Sequence, residues 1–146
     1  MATWDQFETE APDLAARVRQ RFEAHKTHVL ATLRADGSPR VSGSEVEFIG
    51  PDLMFGSMPG AMKAHDLRRD PRCAIHAHPA DGDAKVSGAA IEITGPAKAA
   101  YASPPGVHDY RLDLTEAVLT SVDEATELLI IQYWRPGKGV SVTKRR

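Results

Sequence analysis

The chain has 146 residues, 42% of them hydrophobic, with 18 Lys and Arg against 20 Asp and Glu and a formal net charge of -2, which suits one core and leaves no basic field for nucleic acid. No apolar run reaches the ~18 residues that a membrane span requires, and the opening MATWDQFETEAPD is acidic where a secretory leader is basic and then apolar; a cytoplasmic protein with neither nucleic-acid nor membrane partners is expected. Cys73 is the only cysteine, so an internal disulfide and a cysteine-based zinc site are both excluded.

Leu14, Val18 and Phe22 recur every fourth residue, which predicts a helix from about Pro12 to His25 after a looser segment beginning near Trp4. From His28 the period becomes that of strands. His28 to Arg34 ends at Asp36-Gly37, a strong hairpin signal, and the return strand is read from Pro39 to Ile49. On that strand Arg40, Ser42 and Ser44 share one face, which is either an exposed edge or the floor of a polar ligand site. Gly50-Pro51-Asp52 turns into Leu53 to Ser57, completing a three-stranded meander.

Met58-Pro59-Gly60 then forces a turn, and a short helix is predicted from Ala61 to Arg69, stopped by Asp70-Pro71. Lys63 falls in its first turn. Unpaired backbone N–H groups and the positive dipole end already favour an anion there, and the ammonium adds a mobile unit charge. A solvated lysine is the plain alternative.

Cys73 to His78 is read as a strand with His76 and His78 on one face; this pair lacks a third ligand, and no metal site is assigned. Ala84 to Thr94 continues the sheet, with Gly88 as a bulge. Tyr101 to His108, containing Ser-Pro-Pro-Gly, is a loop. Apolar positions from Asp109 to Val122 shift from Tyr110, Leu112 and Leu114 to Val118 and Val122, which places an irregularity near Glu116. Leu128 to Trp134 is the most apolar strand and is expected at the centre of the sheet, and residues 140–146 read as a basic tail. No dinucleotide, P-loop, nucleophile-elbow or zinc-protease motif occurs, so any difficult chemistry belongs to a bound cofactor.

The ordered segments HVLATLRADGSPRVSG, LMFGSMPG, MKAHDLRRDPRCAI, AKVSGAAIEIT and LLIIQYWRPGKG resemble the pyridoxamine 5'-phosphate oxidase-like group of flavin-binding split β-barrel proteins, from about His28 to Gly139. The resemblance implies a mainly β chain: a six- to seven-stranded antiparallel split β-barrel over 28–139 of a single domain 1–146, with an N-terminal helix in 1–27 and one short internal helix. It further implies a homodimer holding FMN, or the deazaflavin coenzyme F420, at the subunit interface, and hydride transfer to or from a small substrate.

Position by position, Lys63 would hold the cofactor phosphate and Ser57 would bond the phosphate or ribityl chain. Arg40 and Ser42 would lie along the second-strand wall, and Trp134 would pack on the ring system from the other subunit. Ala61-Met62-Lys63 stands where the true oxidases have Ser-Arg-Lys, and the tail lacks their Arg-x-His element, so oxidation of pyridoxamine phosphate itself is not expected. Losing one charged partner of the phosphate predicts FMN binding weaker by about ten-fold or more. His76, His78 and Tyr133 are the candidate proton donors. The alternative is a non-catalytic flavin- or haem-binding module, with His65, His76 or His78 as an axial ligand.

Overall fold

The computed structural model describes residues 1–146 with the exception of the Asp81 side chain. Helices α1 (Trp4–Glu10) and α2 (Pro12–Glu23) precede strands β1 (His28–Leu33), β2 (Pro39–Ser44), β3 (Val46–Ile49) and β4 (Asp52–Ser57). Helix α3 (Met62–Arg69) leads to β5 (Arg72–His76) and β6 (Asp83–Glu92), followed by β7 (His108–Asp123), β8 (Leu128–Arg135) and β9 (Gly139–Arg145). Two short 3-10 turns, Pro79–Asp81 and Gly95–Tyr101, flank β6.

All pairings are antiparallel, in the order β2-β1-β5-β6-β7-β4-β3, with β8 on β7 and β9 on β8. The expected class, a mainly β split barrel with few helices, is what forms. The strand count is nine rather than six or seven, for two reasons. The return strand breaks at Glu45, so β2 pairs with β1 whereas β3 pairs with β4, and the two lie at opposite ends of the main order although only Glu45 separates them. The sheet must therefore curl until these edges come within reach of that one residue, without pairing to each other. The expected tail, in turn, is strand β9, paired with β8 from Leu129↔Arg145 to Arg135↔Gly139.

The bulge near Gly88 forms as the sequence predicts. Ser87 faces Glu116 and Gly88 faces Leu114, which leaves Thr115 as the extra residue. One inserted residue reverses the side-chain parity of the strand, so Tyr110, Leu112 and Leu114 before it and Ala117 and Leu119 after it all enter the core. Val118 and Val122 face the other way. A Cβ on Gly88 would lie 1.9 Å from the Asp113 carbonyl oxygen.

The segment before Pro12 is a helix in its own right, because the Thr3 hydroxyl accepts from the Gln6 N–H at 3.1 Å and caps it. Trp4 and Phe7 from α1, with Leu14, Ala15, Val18 and Phe22 from α2, cover the inner face of the sheet. Strand β8 is not central. Leu128 through Tyr133 are half-buried and only Trp134 is enclosed, since β8 branches from the far end of β7, with helices on one side alone.

Candidate functional site

The Met58-Pro59-Gly60 turn delivers the chain to α3 with Gly60 at φ 74, a conformation suited to glycine. Ala61, extended at φ -65 and ψ 143, provides no side-chain cap; the Ala64 N–H donates to the Ala61 carbonyl at 3.1 Å, and the Met62 and Lys63 N–H groups meet no side-chain oxygen of the cap residue. Only Ala64 and Leu67 among the apolar residues of α3 are buried. Polar tethers to β1 and β2 supply the remaining attachment. Lys63 Nζ donates to the Gly43 carbonyl at 3.0 Å, Arg40 Nε donates to Asp66 Oδ2 at 2.7 Å, and Arg69 Nη2 donates to the Leu33 carbonyl at 3.0 Å.

Lys63 opens onto a groove of about 540 Å³ whose other walls include Gly43, Ser44, Glu45, Gly56, Ser57 and Met58. Burial pushes the Lys63 ammonium below the ordinary lysine pKa, which marks a charge that would gain from an anion beside it. Ser57, at the end of β4, is buried and donates to the Met58 carbonyl at 3.2 Å. A second groove of about 420 Å³ adjoins the first through Glu45 and Gly56 and is lined on its far side by Met54, Tyr101 and Ser103. Asp109 anchors that side, accepting from Lys98 Nζ at 2.6 Å and from the Ser103 hydroxyl at 2.9 and 2.8 Å.

The structure thus brings Ser57 and Lys63 together. Arg40 and Ser42 lie beside them on β2 but outside the groove. Arg40 turns to Asp66, and the Ser42 hydroxyl is buried with no hydrogen-bond partner among the described residues. Trp134 is elsewhere: it is 0% exposed and stacks on Phe7 of its own chain, centroids 4.4 Å apart, which leaves no face of the ring for a ligand.

The other candidate side chains are also placed. His76 contacts the Ala77 carbonyl at 2.6 Å and Asp83 at 3.3 Å, and the His78 ring stacks on His25 at 4.1 Å. The Tyr133 hydroxyl donates to Glu116 at 2.8 Å on the outer face of the sheet. None of the three lines either groove.

Sequence reasoning missed Asp66. This carboxylate is 1% exposed and accepts from Thr32 Oγ1 at 2.8 Å, Arg40 Nε and Arg69 Nη2. Burial opposes its ionisation, but the hydrogen bonds from Arg40, Thr32 and Arg69 outweigh that and hold its pKa below the usual carboxylate range. The available signal was an acid set between Ala64 and Leu67 on the inward side of a short helix.

The profile of the pyridoxamine 5'-phosphate oxidase family matches residues 14–129. No curated protein matches the chain. Among solved structures, the fold is similar to PhzG from Burkholderia lata, at 15% identity and a TM-score of 0.70 over 94% of this chain and 92% of that one. It is similar to a pyridoxamine 5'-phosphate oxidase-related, FMN-binding protein from Nostoc punctiforme, at 12% identity and 0.65 over 90% and 94%. A heme-binding protein from Mycobacterium smegmatis shares the fold at 18% identity and 0.57, over 89% of this chain and 57% of that one. With its profile match spanning most of the sequence and its curled antiparallel sheet, the chain belongs to the pyridoxamine 5'-phosphate oxidase family.

Proposed function

We propose that this protein is a flavin- or deazaflavin-dependent oxidoreductase, binding FMN or coenzyme F420 in the groove beside α3 of a homodimer and passing hydride to or from a small substrate. The observation that carries this reading is the Lys63 ammonium, desolvated at the uncapped first turn of α3 and sharing a groove with the Ser57 hydroxyl. That donor set suits a phosphate group: a cation, the uncapped start of a helix and one hydroxyl. Lys63 turns a further N–H to the phosphate beside its bond to Gly43, and Ser57 turns from Met58 towards the phosphate or ribityl chain. The bound flavin ring supplies the hydride chemistry. The adjoining groove, with Tyr101 and Ser103 at its far side, lies where a substrate can be oriented against that ring.

The FMN-binding protein from Nostoc punctiforme, which shares the fold over most of both chains, favours a flavin. The homodimer is supported by an uncovered patch on the outer side of β7 and β8. Val122 there is 62% exposed and Val118, Leu129, Ile131 and Tyr133 are half-buried.

The test is titration of the purified protein with FMN and with F420, read by absorbance near 450 nm and 420 nm, where a sharp Soret band after haem addition instead would favour the haem-binding module. Lys63→Ala is expected to weaken the preferred flavin by about 10- to 100-fold, the loss of one charge-assisted hydrogen bond. Unchanged affinity in that variant rejects the assignment of the groove.

A further inference from the structure

We propose that Asp66 is the positioning residue of the anion-binding end of α3: it fixes the helix on the barrel so that Lys63 stays aimed into the groove. This inference rests on the reading of that groove as the flavin phosphate site. Lys63, Asp66 and Arg69 lie three residues apart on one side of α3, and each is fastened to the sheet beneath, to Gly43, to Arg40 and Thr32, and to Leu33 respectively. Arg69 also donates to Asp66 Oδ1 at 3.0 Å, so both carboxylate oxygens are occupied.

The three tethers are unequal. The Lys63 ammonium has three N–H donors, so it can hold Gly43 with one and present another to a phosphate, but its long flexible stem does not by itself fix the helix beneath it. Arg69 has a side chain 41% exposed, whereas Asp66 is enclosed and gathers donors from two strands and its own helix. Apolar packing cannot substitute for it, since α3 buries only Ala64 and Leu67 as apolar residues, and two small contacts leave a helix free to slide or roll on a sheet. With the phosphate bound, Asp66 becomes the fixed point that sets the height and rotation of the first turn. Displacements of about 1 Å at a binding group are enough to lose much of its contribution.

The same geometry gives Arg40 its role. Its Nε is committed to Asp66, so it acts on the site by holding α3 against β2 rather than by touching the ligand. A helix-positioning role predicts damage confined to the phosphate end of the cofactor, whereas a purely structural role would weaken every ligand or none.

The experiment compares FMN with riboflavin, and F420 with its phosphate-free deazaflavin fragment, by fluorescence titration of the full-length protein. Asp66→Asn keeps the shape of the side chain but leaves two arginines on one neutral amide. Its FMN affinity is expected to fall about ten-fold while riboflavin binding is unchanged, so that the preference for the phosphorylated ligand collapses, and likewise for the F420 pair. Thr32→Val, which removes one hydrogen bond from Asp66 Oδ2 and retains side-chain volume, gives a two- to three-fold shift in the same direction and serves if Asp66→Asn does not fold. Asp70→Asn, which breaks the exposed pair with Arg72 at the end of the helix, leaves the preference intact.

Equal weakening of phosphorylated and unphosphorylated ligands, or no change in either, overturns the inference while leaving the flavin site standing. A wild-type protein that binds FMN no better than riboflavin and F420 no better than its fragment defeats the phosphate reading itself, and the inference with it.

Discussion

At Lys63 the depressed pKa has a consequence for affinity that can be read against pH. In the proposed site the ammonium would bind phosphate only while protonated, and burial lowers the pH at which it gives up its proton. FMN affinity is therefore expected to hold a plateau at neutral pH and decline as pH rises through the lowered lysine pKa. On the acid side it declines below about pH 6, where the phosphate monoester of FMN takes up its second proton. Lys63→Arg, whose guanidinium stays charged throughout, abolishes the alkaline decline and leaves the acid one, which titrations across pH 5 to 11 will show. Gly88 is governed by space instead. Its missing Cβ would sit 1.9 Å from a backbone oxygen of β7, and neither strand can retreat without breaking the ladder, so Gly88→Ala should cost about 3 kcal/mol in denaturant unfolding.

The residues best read from sequence were those whose local chemistry dictates geometry. The place of Lys63 in the first turn of α3 followed from a Pro-Gly turn and helix-forming residues, and the bulge at Gly88 from an isolated glycine in a strand pattern. Trp134 and Asp66 were not legible in this way. Whether an indole meets a ligand or the phenyl ring of Phe7 depends on where α1 docks, more than a hundred positions earlier in the chain. A buried acid on a helix looks like any surface acid until its partners on β1 and β2 are known.

Among the elements, α1 shows how a single cap decides a short helix. Seven residues are too few to be helical by propensity alone, and the segment is fixed by Thr3 at its start and by Trp4 and Phe7 entering the core. Thr3→Ala should cost about 1 kcal/mol and show in thermal melts as a lowered midpoint. The strand that broke at Glu45 was hidden because both halves alternate with the same period, and nothing local marks the residue at which the chain changes partners. Strand β9 was hidden for a similar reason. Its alternation of valine with polar residues is short and basic, and only the β8 edge turns it into a strand. The half-burial of β8 reverses the inference from its composition: a strand apolar on both faces needs cover on both, and its own chain covers one.

For the whole molecule, that second cover is the matter at issue. Val118, Val122, Leu129, Ile131 and Tyr133 form an apolar surface continuous across two strands, of the kind that marks an interaction site. Ile131→Asp places a charge at its middle, paired opposite Thr120, and, if the proposed homodimer uses this face, should convert it to a protomer in analytical ultracentrifugation while leaving the far-UV circular dichroism of the barrel unchanged. The class of fold was legible because several hairpins and turns each announce themselves locally. The way the sheet curls was not, because it depends on the two edges coming within reach of Glu45.

The unpaired Thr115 carries one last consequence. Strand β7 serves two clients, β4 before the bulge and β8 after it, and its ladder with β6 is interrupted where it passes from one to the other. Opening that starts in the β8–β9 ribbon therefore has a place to stop, and the wall carrying Gly56 and Ser57 stays zipped to residues 108–111 while the ribbon breathes.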